Sequence, residues 1–367
     1  MVAPPCCAVC GRLLTRSGQM HTVQFADYDP SWRTPDWDDM GVSHNSIGVH
    51  APEGLGRFCS IDLDPALQLR RIALPEAVKR LQEELDLGGD VSCRVGSQFG
   101  PYRLLRLLGR GQLARVYEAE HTVKRAIVAL KVLSPPHSQD RSFRLRMQRN
   151  VEAAARGAYR LPGPFLVPIY DWGEIDERPY IEMQAVDGID LRHLLAEPAQ
   201  FPPAQALALL EQIGAALDEL HSQGWMHRNV RPGNIMVGRD RAFLLCGFRH
   251  LATTEGTEPH PMDYAYSAPE IFTGSDATAS TDIYALTCVF FESLVGLPPY
   301  RADSLEAVVG GHLTQPVPRP SQFYPGIPAS IDDVIARGMA KEPDHRYASA
   351  RALALAARQA MATFGSA

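Results

Sequence analysis

The sequence lacks any apolar run of about eighteen residues, the length at which a membrane-spanning helix is predicted. Its first residues, MVAPPCCAVCGR, place thiols where a secretory signal needs an apolar core. The seven cysteines are an odd number, and without an export signal they do not predict a disulfide framework. These absences predict a cytoplasmic protein that has no membrane partner.

The sequence also has no excess of basic over acidic residues. The formal net charge is −6, which argues against a nucleic-acid partner because such proteins carry a positive footprint. Hydrophobic residues make up 45% of the 367 residues, enough for a large buried core. The length predicts about two domains.

Most of the cysteines lie in residues 1–64, where CAVCG presents two thiols at a spacing that lets both reach one tetrahedral Zn²⁺. This pattern predicts a small Cys/His-rich module that binds zinc. His50 is the predicted histidine ligand, although His44 or His21 can take its place. A poorly ordered tail with free thiols is the alternative. The four predicted ligands are Cys7, Cys10, His50 and Cys59.

Residues 65–97 read as a helical linker. Apolar residues recur at helical spacing from Leu67 to Leu85, and Pro75 interrupts them. The sequence GGD at 88–90 then ends the helical pattern.

Four later stretches form a set. FGPYRLLRLLGRGQLARVYEAEH contains a glycine-rich turn between two strand patterns, VALKVL contains a lysine on a predicted strand, and HRNVRPGN is followed by LLCGFRHL. Glycines in the first stretch let backbone amides approach phosphate oxygens. From about Phe99 to about residue 360, this set resembles the bacterial Ser/Thr protein kinase family.

The resemblance implies an α+β, bilobal protein-kinase-like fold over residues 98–362, with a β-rich small lobe at 98–184 and a helical large lobe at 185–362. It also implies a buried ion pair between Glu270 and Arg346. The nucleotide-binding residues that it suggests are Gly109, Gly111, Val116, Ala129, Lys131, Met183, Gln184, Val186, Arg231, Asn234, Met236 and Arg249.

Four residues depart from the family pattern where its chemistry takes place. Asn229 stands at the position of the base, and its amide cannot take a proton. Gly247 stands at the position of the metal-binding carboxylate. Asn150 replaces the glutamate that pairs with the lysine, and Asp263 replaces the threonine near the incoming peptide.

These departures predict a catalytically inactive pseudokinase rather than an enzyme. Its predicted role is that of a regulatory or scaffold protein that binds a protein partner, such as an active kinase or an assembly component, with weak or no nucleotide binding. One alternative is an enzyme that binds ATP without Mg²⁺, using Lys131 together with Arg231 and Arg249. The other is a zinc- or thiol-responsive switch.

Overall fold

A computed structural model of the chain describes residues 96–110, 114–133, 163–195, 201–247, 264–302, 304–324 and 326–362, with the backbone of two short strands before them. All four predicted zinc ligands and most of the predicted helical linker lie outside the residues whose side chains are described. None of the helices in these ranges combines the length and the apolar character that crossing a membrane requires.

The chain divides into two compact units. One comprises Met1–Asp140 and Glu174–Tyr180, and the other comprises Arg141–Gly173 and Ile181–Ala367. The predicted boundaries of the module, the linker and the two lobes stay predictions.

The first unit is built from strands. Two of them, β1 (His21–Gln24) and β2 (Leu55–Phe58), pair antiparallel. A six-stranded sheet has the order β3-β4-β5-β6-β8-β7, and of its last two strands only residues 174–175 and 178–180 belong to the first unit. Its strands are β3 (Gln98–Phe99), β4 (Tyr102–Arg110), β5 (Ala114–His121), β6 (Ala126–Leu133), β7 (Ile169–Ile175) and β8 (Arg178–Gln184).

Alternation of apolar and polar residues explains these strands. In β5, Tyr117 and Ala119 are buried, whereas Glu118 and Glu120 between them pair with arginines of β4. The sequence of β6, AIVALKVL, is rich in β-branched residues, which favour strands. The buried side chains form one core cluster of Phe99, Tyr102, Leu104, Tyr117, Ala119, Val128, Leu130 and Val132.

The second unit is mainly helical and contains a small antiparallel sheet of order β11-β10-β9. Its strands are β9 (Gly188–Asp190), β10 (Ile235–Gly238) and β11 (Phe243–Leu245). Its α-helices are α1 (Leu191–Leu195), α2 (Pro203–Ser222), α3 (Pro269–Phe272), α4 (Ala279–Val295), α5 (Leu305–Thr314), α6 (Pro320–Phe323), α7 (Ala329–Gly338) and α8 (Ala350–Ala362). Two single 3₁₀ turns lie at Pro232–Asn234 and Pro343–His345.

Helix α4 forms the centre of this unit, because fifteen consecutive residues from Thr281 to Val295 are buried. A helix that is apolar on every side is stable only when neighbours surround it. A capping box between Thr278 and Thr281 begins the helix, and Gly296 ends it in the left-handed conformation at φ 80°. The position of α4 fixes the polar residues that it carries, including Asp282.

Glu292 of α4 is buried and accepts a hydrogen bond from the Tyr266 hydroxyl at 2.6 Å. Burial raises the pKa of Glu292 to about 7, and the hydrogen bond from Tyr266 partly offsets this effect. The unfolded chain loses this proton near the ordinary glutamate pKa, so folding stability falls as pH rises between the two values.

We therefore expect Glu292→Gln to stabilise the chain at pH 8 but not at pH 5. The amide carries no charge to desolvate, and its oxygen still accepts from Tyr266. A rise of about 2–4 °C in the unfolding midpoint at pH 8 corresponds to about 1 kcal/mol. The control is Glu211→Gln, which removes an exposed ion pair with Arg358 and leaves this burial cost in place. An equal effect of Glu292→Gln at both pH values would contradict the assignment.

Candidate functional site

In the first unit, the strand register aligns three of the predicted nucleotide-binding residues. Gly109 of β4 pairs with Val116 of β5, and Val116 pairs with Lys131 of β6. An irregularity in the pairing falls between Leu107 and Gly109, where the strand approaches the glycine-rich turn. Directly paired residues share a face of the sheet, so Val116 and Lys131 face the same side.

Ala129 lies two residues before Lys131 on the same strand and therefore on the same face. Ala129 is buried and Lys131 is half-buried. The predicted strand lysine thus lies beside a small apolar side chain, as an adenine-facing strand requires.

Four predicted nucleotide-binding residues of the second unit lie on strands or in the connection between two strands. Met183 and Gln184 end β8, where the amide of Gln184 donates to the Pro168 carbonyl at 3.0 Å. Val186 follows in the connection to β9 and is half-buried. Met236 of β10 pairs with a residue on each neighbouring strand.

The loop at 227–234 is held by the buried carboxylate of Asp282. One oxygen accepts the amide of His227 at 2.7 Å and His221 Nε2 at 2.9 Å, and the other accepts the amide of Arg228 at 2.7 Å. Arg228 has a φ of 62°, a conformation that costs free energy for a residue with a side chain. These hydrogen bonds to Asp282 hold that strained backbone immediately before Asn229.

His227 is buried, and burial lowers its pKa to about 4 despite the opposing charge of Asp282. The ring is therefore neutral at pH 7. Its Nε2 lies 3.0 Å from the Cys246 carbonyl and must carry the hydrogen, so Nδ1 accepts from the amide of Asn229 at 3.3 Å. His227 thus joins the loop to the segment that follows β11.

The structure brings together three predicted site residues. Asn229 Nδ2 donates to the Gly247 carbonyl at 3.1 Å, and Asn234 Nδ2 donates to the Asn229 carbonyl at 2.8 Å. Gly247 has a φ of 76°, and a side chain at this position would collide with Asn234 Oδ1. Arg231 immediately precedes the 3₁₀ turn that ends with Asn234.

We expect Gly247→Ala to destabilise the chain more than Gly274→Ala, measured by denaturant unfolding. Gly274 has nearly the same φ, 77°, but a methyl group added there would meet no atom within 4 Å. The control therefore carries only the left-handed backbone cost of about 1–2 kcal/mol, while Gly247→Ala must also displace Asn234. Equal costs for the two variants would contradict this packing.

The implied ion pair of the large lobe is confirmed. Arg346 Nη1 and Nη2 each lie 2.7 Å from one oxygen of Glu270, and both residues are buried. Thr281 donates to the same carboxylate at 2.7 Å. This cluster supports the frame of the second unit.

Several predicted residues lie outside the described part of the chain. They are Gly111, Asn150, Arg249, Asp263, Cys7, Cys10, His50 and Cys59. Among the side chains that the structure does describe, no group of three or more His, Cys, Asp or Glu residues is arranged to hold a metal ion.

Sequence reasoning did not assign roles to His221 and Cys246. The amide of Cys246 donates to the Asn234 carbonyl at 2.9 Å, and its own carbonyl accepts from His227. Backbone bonds of this kind leave no pattern in side-chain identities. The only sign of a role for Cys246 in the sequence was its position beside Gly247, a predicted site residue.

Residues 102–357 match the model of the family described as the protein kinase domain. The serine/threonine-protein kinase PknD of Mycobacterium tuberculosis is 49% identical over 280 residues, covering 75% of this chain and 42% of that protein. PknH of Mycobacterium bovis is 48% identical over 273 residues, covering 73% and 45%. PknE of Mycobacterium bovis is 47% identical over 282 residues, covering 76% and 49%. The chain thus spans less than half the length of these relatives.

The crystal structure of the Mycobacterium tuberculosis PknI kinase domain is also similar, with a TM-score of 0.60 and 33% sequence identity. The match covers 72% of this chain and 98% of that one. These matches confirm the predicted fold, with a β-sheet small lobe and a helical large lobe.

The relatives overturn the prediction of a catalytically inactive pseudokinase that acts only as a regulatory or scaffold protein. Proteins 47–49% identical to this chain are named serine/threonine-protein kinases, which are enzymes. The prediction inferred inactivity from single side chains, although a general base contributes only about 10²- to 10⁴-fold to a rate. Both alternatives, the metal-independent ATP-binding enzyme and the zinc- or thiol-responsive switch, are corrected with it.

The cofactor predictions are corrected as well. Kinases use ATP together with Mg²⁺, so the relatives point to MgATP rather than to zinc or to ATP without a metal. The zinc prediction rested on one C-x-x-C pair, which is half of a strong zinc pattern.

Proposed function

Because this chain belongs to the protein kinase domain family, we propose that it transfers the γ-phosphoryl group of ATP to serine or threonine hydroxyls of a protein. The observation that carries this proposal is the 47–49% identity to three proteins named serine/threonine-protein kinases. The buried frame of the second unit, anchored by Asp282 and by the Arg346–Glu270 pair, supports it.

In this proposal the first unit contributes the phosphate-binding groups. Lys131 neutralises charge on the nucleotide phosphates. Ala129 and Val116 line the adenine side of the sheet. The nucleotide contacts Met183, Gln184, Val186 and Met236 stay predictions from the family resemblance.

The reaction forms a bond between the acceptor hydroxyl oxygen and the γ-phosphorus of ATP while the β,γ-bridging P–O bond breaks and ADP leaves. The hydroxyl proton passes to the transferred phosphoryl group and then to water, because the Asn229 amide does not accept it. Asn229 instead orients the hydroxyl. We expect a rate about 10²- to 10⁴-fold lower than that of a kinase with a carboxylate at this position.

MgATP is the substrate form that kinases use, and its ion binds carboxylate oxygens and substrate phosphates. Gly247 brings no carboxylate, and the Asn234 side chain already occupies the space where a Cβ of residue 247 would lie. Asn234 supplies one amide oxygen. The residues of this segment therefore do not fit the usual metal-binding set, and no step of the proposed mechanism runs through the ion.

The protein that carries the acceptor hydroxyl is the partner that this function requires. The predicted partners, an active kinase or an assembly component, stay predictions. So do the predicted absence of nucleic-acid and membrane partners and the cytoplasmic location.

The proposal is tested by incubating the purified chain with MgATP labelled at the γ-phosphate and a panel of serine- and threonine-containing peptides. Transfer of label to serine or threonine, in proportion to the amount of chain, supports it. Lack of transfer to the peptides and to the chain itself, over hours and at high enzyme concentration, would contradict it.

A further inference from the structure

The side-chain amide of Asn229 makes a hydrogen bond that an aspartate cannot make. Its Nδ2 donates to the Gly247 carbonyl at 3.1 Å. An ionised carboxylate has only acceptors and would face that carbonyl with a second negative oxygen. The local structure therefore depends on the side-chain amide of Asn229, because an ionised aspartate at this position has no hydrogen to donate to the Gly247 carbonyl.

This bond closes a circuit between the loop at 227–234 and the segment at 246–247. The four other members of the circuit are hydrogen bonds from Asn229 N to His227 Nδ1, from His227 Nε2 to Cys246 O, from Cys246 N to Asn234 O, and from Asn234 Nδ2 to Asn229 O. Their lengths run from 2.8 to 3.3 Å. Each segment thus restrains the other.

The circuit also determines which atom of the Asn229 side-chain amide is available to a substrate. A planar amide whose Nδ2 is held by Gly247 has its Oδ1 on the opposite side. Within the described part of the chain, no residue donates a hydrogen bond to Asn229 Oδ1, and the side chain is partly exposed. The atom on offer is therefore an acceptor, which suits a hydroxyl donor.

We propose that Asn229 is a positioning residue: the Gly247 carbonyl holds its Nδ2, and its Oδ1 accepts the hydrogen bond of the serine or threonine hydroxyl to be phosphorylated. The second half of this proposal rests on the proposed kinase function. The first half, which we call the amide lock, concerns only the folded chain.

The amide lock is tested with Asn229→Asp, followed by hydrogen exchange at the backbone amides of Asn229 and Cys246. At pH 8 the carboxylate cannot donate, and we expect exchange about 3- to 10-fold faster than in the wild type. As pH falls toward the carboxyl pKa, the protonated acid can donate to Gly247 again, so the difference from the wild type shrinks.

Gln212→Glu is the matched control for the change from amide to carboxylate. The Gln212 oxygen accepts from the amide of Phe243 at 2.8 Å, a bond that the glutamate keeps. We expect no acceleration at Asn229 or Cys246 in this variant. Unchanged exchange in Asn229→Asp, or acceleration that does not depend on pH, would overturn the amide lock.

The positioning role is tested by the kinetics of phosphate transfer to an acceptor peptide. We expect Asn229→Ala to lower kcat about tenfold with little change in KM for ATP, because only the hydroxyl contact is lost. Asn229→Asp supplies a base but loses the lock that positions it, so its kcat at pH 8 should not exceed the wild-type value. A tenfold or larger increase in kcat for Asn229→Asp would overturn the positioning role. If the wild type transfers no phosphate, the proposed function and the positioning role both fail, while hydrogen exchange still decides the lock.

Discussion

Replacing Arg346 with methionine is expected to lower the free energy of unfolding by about 3–5 kcal/mol, the cost of leaving one member of a buried ion pair without its partner. Arg346 is 3% exposed and Glu270 is 8% exposed. The two side chains form a bidentate pair with both distances at 2.7 Å, and the same guanidinium donates to the carbonyls of Ala340, Ser280 and Lys341. Methionine fills part of the volume but supplies no donor to any of these oxygens.

The pKa of Glu270 gives this prediction a second readout. Burial alone raises the pKa of Glu270, but the hydrogen bonds from Arg346 and Thr281 outweigh it and place the pKa below its ordinary value. The pair therefore stabilises the fold above the unfolded glutamate pKa and loses this effect as pH falls through the folded pKa. In Arg346→Met the pKa of Glu270 should rise, so the loss of stability at low pH should shrink and the substitution should cost more at pH 8 than at pH 4.

Arg358→Met is the control, because Arg358 also pairs with a glutamate, Glu211, but is 63% exposed. Exposed pairs contribute about 0–1 kcal/mol. Denaturant unfolding of both variants measures the difference. A cost for Arg346→Met that is no larger than the cost for Arg358→Met would show that the buried pair does not support the second unit.

The second large effect is expected from Lys131→Met, which should reduce phosphate transfer by about 10²- to 10³-fold, the loss found when one charge-stabilising donor is removed from an enzyme site. Methionine has a similar length and keeps the apolar stem against β5. Since Lys131 is half-buried at the edge of the core, we expect the fold to persist. Transfer rates with MgATP and circular dichroism of the variant measure the two effects.

Lys124→Met is the matched control. Lys124 lies on the exposed turn between β5 and β6, seven residues before Lys131 in the same hairpin. Its loss removes the same charge from the same unit and should leave the transfer rate unchanged. If Lys131→Met retains the wild-type rate, the proposed phosphate contact is wrong.

Much of the fold was predictable because its signals are local. The resemblance of FGPYRLLRLLGRGQLARVYEAEH and VALKVL to kinase strands indicated β4, β5 and β6, and the motif lysine fell on β6 as predicted. The partnership of Glu270 and Arg346, which are far apart in sequence, came from the family resemblance rather than from any pattern of spacing.

The chemistry was less predictable, since identities at single positions do not reveal what a side chain contacts. Asn229 suggested a lost base, but the structure shows a donor to Gly247. Gly247 suggested a lost carboxylate, whereas its left-handed φ and the nearby Asn234 side chain show a position that favours glycine. These features depend on hydrogen bonds between segments more than ten residues apart, which a sequence pattern does not encode.

The most direct test of the central claim is phosphoamino-acid analysis after the wild type and Lys131→Met are incubated side by side with MgATP and a serine- or threonine-containing peptide. We expect phosphoserine or phosphothreonine with the wild type and at least about 10²-fold less with the variant. Equal product from both proteins would trace the activity to another source. No product from either would contradict the proposed kinase function.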